Sequence, residues 1–320
     1  MARTLSPEFM KDLQSGLLAP VLDLVKADST LDLYIRDGYA NIYYRGGNLL
    51  RIKPAPAGAY TFEFNSDYEK GLRKSLLGHV PTINWDVLEH AKKIDCASGI
   101  ALWLSQVPAI KQTMDFWFSA HPKPEREFQQ VMARVNNDNC HTDYYIVDIE
   151  YTNSQYTELR ADMLALWWPR TVEARKKDSG FRPKLTMVEV KWCDGALKGD
   201  AGVVSHVTKM ANAHAQKRLD FAAVASEALS LFKQRVQLGF INCDMKEEQF
   251  QLVSDAQSEV DFLFLIADHD PDSSVLKTEL QTVAAMTGIP FDVKVALASP
   301  MGFGLFTQKI VGASAALTGL

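Results

Sequence analysis

The chain has 320 residues, of which 47% are hydrophobic and 23% charged, an ordinary composition for one large or two medium globular domains. Its formal net charge of −5 excludes a basic surface over the whole protein, so any contact with nucleic-acid phosphates must come from a local cluster of lysine and arginine. No run approaches about 18 uninterrupted apolar residues, so the sequence predicts no transmembrane helix and no membrane partner.

The N-terminal part of the chain predicts an α+β region. Residues 7–27 show apolar side chains at helical spacing, with Ser6 as the N-cap and Pro7 at the first helical position. Alternating segments then predict an antiparallel meander of three or four strands: Leu31–Ile35, Ala40–Tyr44, Leu49–Lys53 and Ala59–Phe64. Residues 85–120 are predicted to be helical again. We place a boundary near residue 121, between a region 1–121 of unknown role and a domain 122–320, although the first region could instead pack on the second as an elaboration.

The C-terminal part predicts an α/β domain, because helical patterns alternate with apolar strands. The predicted helices are Pro124–Val135 and a helical region over His206–Leu238. The predicted strands are Tyr144–Tyr151, Arg160–Trp168, Leu185–Trp192, Val260–Ala267 and Val293–Ala298.

Two charged residues interrupt the apolar strand Leu185–Trp192. Glu189 and Lys191 are two positions apart, so they point to the same face of the strand. A buried carboxylate and ammonium are costly unless they pair or bind something. Asp162, just inside the preceding strand, is the natural third member. Two carboxylates and a lysine at neighbouring strand ends suit a magnesium-dependent phosphodiesterase, whereas the alternative is a structural ion pair on an edge strand.

This pattern resembles the PD-(D/E)XK nuclease superfamily, which carries an Asp on its second core strand and Glu-x-Lys on its third. The resemblance covers about residues 123–300 and implies a restriction-endonuclease-like core, a mixed central sheet flanked by helices. One departure is Ala161, which stands where many members have Pro before the Asp. The resemblance implies a Mg²⁺- or Mn²⁺-dependent endonuclease that hydrolyses DNA, a restriction or defence role, and a homodimer.

The same resemblance assigns roles to individual residues. Asp162, Glu189 and Lys191 are the predicted catalytic residues. Asp162, Glu189 and the Val190 carbonyl are the predicted metal ligands, and Glu127 on the first helix is a further one, preferred over Glu125. Lys191 would lie beside the attacking water and either lower its pKa or stabilise charge on the phosphorus.

Basic and polar residues that could contact nucleic acid lie in two places. Charge concentrates between the second and third core strands at Lys176, Lys177 and Arg182, with Arg170, Arg175 and Lys184 nearby. Lys209 and Gln216 lie on the helix that follows Glu189. For the residues between the strands, a solvated loop is the alternative. We interpret His206 and His214 as ordinary helix histidines rather than zinc ligands.

Tyrosine and arginine crowd the N-terminal meander, where they could stack on bases or simply belong to the sheet. This group comprises Tyr34, Tyr39, Tyr43, Tyr44, Arg36, Arg45 and Arg51.

Two other function classes stay open at this point. A nuclease-like core without chemistry would be a nucleic-acid-binding or regulatory module, and the acidic net charge favours this reading. Another α/β enzyme is the third alternative, although the chain has no Gly-x-Gly-x-x-Gly motif, phosphate-binding loop or Gly-x-Ser-x-Gly elbow. The four scattered cysteines show no metal or redox spacing, so we expect free thiols in a reducing cytoplasm.

Overall fold

The chain forms two compact units in the computed structural model, which describes residues 3–69, 83–84, 88, 92–152, 160–176, 180–243, 257–270, 273–298, 305 and 310–317. The N-terminal unit comprises Met1–Gln130 and Gln234–Phe240, and the C-terminal unit comprises Val131–Lys233 and Ile241–Leu320. None of the helices within these described ranges is both long enough and apolar enough to cross a membrane.

The N-terminal unit contains a five-stranded antiparallel meander, in the order β1-β2-β3-β4-β5. Its strands are β1 Leu31–Ile35, β2 Ala40–Tyr44, β3 Gly47–Ala55, β4 Ala59–Glu63 and β5 Lys93–Ile94. The predicted meander is therefore confirmed, with one strand added. The helix predicted over residues 85–120 is wrong at β5, because Ile94 pairs with Tyr60 of β4 and this sheet contact overrides local propensity. Residues 85–87 and 89–91 lie outside the described residues.

The helix predicted over residues 7–27 is also wrong, since the segment forms two helices. These are α1 Pro7–Ser15 and α2 Ala19–Ala27. Ser6 caps α1 as expected, because its hydroxyl accepts a hydrogen bond from the Phe9 N–H at 3.2 Å. Helix α1 ends at Gly16, whose backbone is non-helical at φ −109° and ψ −147°. A Cβ there would lie 2.7 Å from the Asp12 Cα, a backbone atom that cannot move aside easily, so this close approach requires glycine.

Two longer helices follow in the chain, α3 Ala97–Ala120 and α4 Pro124–Asn137. Helix α3 belongs to the N-terminal unit, and its apolar face contributes buried residues such as Trp103, Ile110 and Met114. The helix predicted over Pro124–Val135 is confirmed as α4, with two further residues at its C-terminal end.

The C-terminal unit is built on a six-stranded mixed sheet in the order β11-β10-β9-β8-β7-β6. Its strands are β6 Tyr144–Thr152, β7 Arg160–Trp167, β8 Lys184–Trp192, β9 Gln257–Ala267, β10 Asp292–Leu297 and β11 Val311–Gly312. Strands β6, β7 and β8 pair antiparallel, β8, β9 and β10 pair parallel, and β11 pairs antiparallel to β10. The predicted α/β class and all five predicted C-terminal strands are confirmed.

Helices α5 to α8 lie in the connections between the strands of this sheet, and α9 follows the last strand. They are α5 Val172–Arg175, α6 Val203–Ala215, α7 Phe221–Gln237, α8 Val275–Ala285 and α9 Ala313–Ala316. The predicted helical region over His206–Leu238 is thus two helices, α6 and α7. Lys217 between them has a left-handed φ of 55°, which a continuous helix does not allow.

Candidate active site

Strand β8 lies inside the sheet of the C-terminal unit and carries the two charged residues at its carboxyl end. Every residue of β8 except Trp192 is buried. The Lys191 Nζ donates a hydrogen bond to Glu189 Oε1 at 2.8 Å, and the two side chains are only 5% and 8% exposed. The predicted common face is therefore confirmed. Because β8 is an interior strand, the alternative of an ion pair on an edge strand does not apply.

Asp162 lies against the same stretch of β8. The pairing of Met163 with Val188 brings the start of β7 beside the end of β8. The Asp162 Oδ2 then accepts a hydrogen bond at 2.7 Å from the backbone N–H of Val190, the residue between Glu189 and Lys191. The structure thus brings together all three residues predicted to be catalytic.

His206 is a fourth member of this group, which sequence reasoning missed. It lies in the first turn of α6, and its Nε2 is 3.3 Å from Glu189 Oε1 and 3.4 Å from Lys191 Nζ. The sequence alone indicates only an ordinary helix histidine at this position. The available signal was its place at the start of the first helix after β8, where the chain turns back along the strand. We call Asp162, Glu189, Lys191 and His206 the carboxylate–lysine site.

The electrostatics of this site favour a neutral imidazole. Burial lowers the pKa of His206 to about 4, and the positive charges of Lys191 and Lys209 act in the same direction. At neutral pH the ring is therefore uncharged. Depending on its tautomer, Nε2 accepts a hydrogen bond from the Lys191 ammonium or donates one to Glu189. His206 therefore adds no positive charge to this group at neutral pH.

Glu127, the additional predicted metal ligand, belongs to the N-terminal unit. Its Oε1 accepts from Arg45, at 3.0 Å from Nε and 2.8 Å from Nη2. Arg45 also pairs with Asp115 at 2.8 Å. Glu127 is thus engaged by a guanidinium, and its role as a metal ligand stays a prediction.

The predicted nucleic-acid contacts have different surroundings. Lys176, Arg182 and Gln216 are exposed, and Lys177 lies outside the described residues. Lys209 is exposed as well, and its ammonium donates to the Asp200 carbonyl at 2.7 Å. The described side chains of this set are therefore accessible, and Lys209 lies close enough to the carboxylate–lysine site for its charge to lower the pKa of His206.

Two basic residues of the predicted loop have structural roles instead. Lys184 begins β8, is 8% exposed, and contacts the buried Asp261 at 2.7 Å. Arg175 donates to backbone carbonyl groups at Cys140, Thr142, Trp168 and Pro169. The positive charge available to a phosphate backbone between β7 and β8 is therefore smaller than the sequence suggests.

For most of the tyrosine and arginine residues of the meander, the structure supports the reading in which they belong to the sheet. Tyr34, Tyr43 and Tyr44 are buried, and so is Arg36, which donates to the Tyr43 hydroxyl at 2.9 Å. Because these four side chains are packed in the interior of the N-terminal unit, they cannot stack on bases.

The donor chemistry of the site suits a hard divalent cation. Asp162 and Glu189 supply two carboxylates on adjacent strands, and Mg²⁺ commonly takes one or two carboxylates and keeps several waters. Within the described residues, no group of three or more His, Cys, Asp or Glu side chains could hold a metal by itself. A cation here would therefore rely on carbonyl, water and substrate oxygens for its remaining ligands.

Comparison of the chain with models of protein families, with curated proteins and with solved structures found no match in any of the three. Its function must therefore be inferred from the chemistry of its own residues.

Proposed function

We propose that this protein is a metal-dependent nuclease that hydrolyses phosphodiester bonds, with DNA as its substrate. The observation that carries this proposal is the hydrogen bond between Glu189 and Lys191 next to Asp162, whose carboxylate accepts from the Val190 N–H at the junction of β7 and β8. The PD-(D/E)XK pattern requires these residue types at these positions, and a restriction or defence role follows from the same resemblance.

The order of elements in the C-terminal part of the chain supports the proposal. Helix α4 is followed by three antiparallel strands, β6, β7 and β8, then by helices α6 and α7, and then by β9 parallel to β8. This is the helix, strand, strand, strand, helix, strand order of the resemblance. The Asp is on the second of these strands and the Glu-x-Lys is on the third.

The side chains present can do the work that hydrolysis requires. Asp162, Glu189 and the Val190 carbonyl would hold Mg²⁺ or Mn²⁺, which when bound neutralises charge on the phosphate and activates water. Lys191 supplies a buried ammonium that can stabilise negative charge developing on the phosphoryl oxygens. Glu189 orients this ammonium through the 2.8 Å hydrogen bond. His206, being neutral, adds no second positive charge to compete with a metal.

The proposal is tested by incubating the protein with supercoiled plasmid and with single-stranded DNA in Mg²⁺ or Mn²⁺. Wild type is compared with Lys191→Ala and with Lys277→Ala, an exposed lysine on α8 that serves as the matched control. We expect cleavage by the wild type and the control, and none by Lys191→Ala. Equal cleavage by all three proteins, or a folded wild type that cuts no DNA, would contradict the proposal.

A nucleic-acid-binding or regulatory module is the second candidate, and one observation favours it. Glu189 Oε1 already contacts both Lys191 and His206, so the ion pair satisfies itself without a metal. A module of this kind would show no rise in melting temperature with Mg²⁺ or Mn²⁺ that depends on Asp162 and Glu189. The nuclease should show such a rise, because binding to the folded state stabilises it.

A further inference from the structure

A second histidine–carboxylate contact lies where the parallel strands β8 and β9 end. His269 follows β9, and Asp194 follows β8 in a short 3₁₀ turn, Asp194–Ala196. The His269 Nδ1 is 2.7 Å from Asp194 Oδ1, and the two side chains are 9% and 19% exposed. We call Asp194 and His269 the loop dyad.

Only one of the two nitrogens of the His269 ring forms a hydrogen bond among the described residues. With Asp194 accepting, Nδ1 carries the proton, which fixes both the tautomer and the orientation of the ring. The other nitrogen, Nε2, is buried and has no hydrogen-bond partner among the described residues. Asp194 therefore determines how the ring is held.

Asp194 is in turn held in its ionised form. Its burial raises its pKa, but the Ser273 hydroxyl, the His269 ring and the Asp270 backbone N–H outweigh this effect and leave the pKa lowered. All three groups come from the chain after β9. The dyad thus ties the connection that leaves β8 to the connection that leaves β9.

The connection from β8 leads directly to His206. It turns sharply at Cys193, whose φ is 56° and whose N–H donates to the Ala267 carbonyl at 2.9 Å. It then passes through Asp194 and the buried Leu197, and the Val203 N–H at the start of α6 donates to the Leu197 carbonyl at 2.9 Å. His206 is in the first turn of this helix, so its position depends on how this short segment is anchored.

We propose that Asp194 and His269 are positioning residues, which anchor the β8–α6 segment so that His206 stays in contact with Glu189 and Lys191. The dyad does not touch the carboxylate–lysine site in this role and acts only through the segment. The inference rests on the proposed nuclease function for its effect on catalysis, whereas its effect on His206 is independent of that function.

Three variants distinguish the loss of the hydrogen bond between His269 and Asp194 from the loss of side-chain volume. His269→Leu removes the hydrogen bond to Asp194, whereas His269→Asn offers an amide N–H close to the place of Nδ1. Asp194→Ala removes the same hydrogen bond by changing Asp194, the more exposed of the two residues. This variant replaces His269→Leu in the test if His269→Leu does not fold. Melting temperatures of all three variants report any purely structural effect.

Two measurements then test the inference. The first is the imidazole ¹⁵N chemical shift of His206 in metal-free buffer at one pH, with the resonance assigned by its loss in His206→Gln. The second is the steady-state kinetics of DNA cleavage. We expect His269→Leu and Asp194→Ala to shift the His206 resonance and to lower kcat about tenfold with KM unchanged, which is the lower end of the effect of outer-shell partners. His269→Asn should restore both.

An unchanged His206 resonance in both His269→Leu and Asp194→Ala would overturn the inference, whatever happens to cleavage. A loss of cleavage in His269→Asn with His206 unmoved would also overturn it, since Nε2 would then act directly. If the wild type cleaves no DNA, the proposed function fails, and the His206 resonance alone decides the role of the loop dyad.

Discussion

The buried ion pair of the carboxylate–lysine site should stabilise the fold strongly enough to be measured without any substrate. Replacing Lys191 by Met keeps most of the apolar stem and removes only the charged end, so the cavity left behind is small. The main loss is then the hydrogen-bonded ammonium 2.8 Å from Glu189 Oε1.

The magnitude follows from the burial of the pair. The Lys191 and Glu189 side chains are 5% and 8% exposed, so solvent screens their attraction little. Removing one partner of a buried pair typically costs about 3–5 kcal/mol. His206 remains 3.3 Å from the same carboxylate oxygen and can donate to it. We therefore expect Lys191→Met to lower the free energy of unfolding by about 3 kcal/mol, the lower end of that range.

The assay is urea unfolding followed by tryptophan fluorescence, in buffer with a chelator so that no metal contributes. Lys277→Met is the matched control on an exposed helix position. Adding Glu189→Gln to Lys191→Met removes both charges and should recover at least half of the loss. A Lys191→Met variant within about 0.5 kcal/mol of wild type, as for ordinary surface substitutions, would refute this account of the pair.

Three further predictions concern the buried charges and the site histidine. Asp261→Ala should lower the free energy of urea unfolding by about 3 kcal/mol or more, because Lys184, 8% exposed, loses its buried carboxylate; a change below about 1 kcal/mol would contradict this. Arg235→Leu should destabilise the N-terminal unit by a similar amount, since Arg235 is fully buried and lies 3.2 Å from the Asp32 carboxylate; unchanged unfolding would show that the pair is dispensable. The pKa of His206 is about 4 in the folded state against an ordinary 6.5, so the unfolded chain binds the proton more readily between these values. The contribution of neutral His206 to the free energy of unfolding should be fully present above about pH 6.5 and should be lost as the pH falls towards 4. In metal-free buffer, the free energy of unfolding of His206→Gln should therefore decline less over this pH range than that of wild type. If the free energy of unfolding of His206→Gln falls with pH as it does in wild type, the proton that destabilises the fold binds to another group.

The strand elements could be predicted because their signals are local. The run Leu185–Trp192 is apolar enough to be a buried strand, and its two charged residues stand at a spacing that only a strand turns into a common face. The structure places Lys184–Trp192 inside the sheet with Glu189 and Lys191 in contact. The residue types and their order were therefore enough to find the three central residues of the site.

Elements that depend on distant contacts could not be predicted. Residues 93 and 94 form β5 because Ile94 meets Tyr60, a pairing that no local pattern reveals. The sequence places Lys184 next to a basic loop, whereas its burial depends on Asp261, which is far away in the sequence. The requirement for glycine at position 16 depends on how closely the chain there approaches the Asp12 backbone.

His206 shows the same limit within the site. Its helix could be predicted, but the contact with Glu189 depends on the ten residues between Trp192 and Val203. This segment contains two short 3₁₀ turns and two residues with positive φ, Cys193 and Gly199, so its length in residues does not determine where in space it ends. Which residue of a helix faces a neighbouring strand therefore depends on the connection between the two elements and cannot be predicted from either element alone.

The initial rate of DNA cleavage as a function of Mg²⁺ concentration tests the central claim most directly. Wild type would be measured beside Asp162→Asn, which keeps an oxygen for the Val190 N–H but loses the charge, and beside Glu173→Gln, an exposed carboxylate on α5. The account predicts a saturable rate for wild type and Glu173→Gln, abolished by a chelator, and a loss of at least about 100-fold in Asp162→Asn. Metal-dependent cleavage that is equally fast in Asp162→Asn would show that the carboxylate–lysine site is not the catalytic centre.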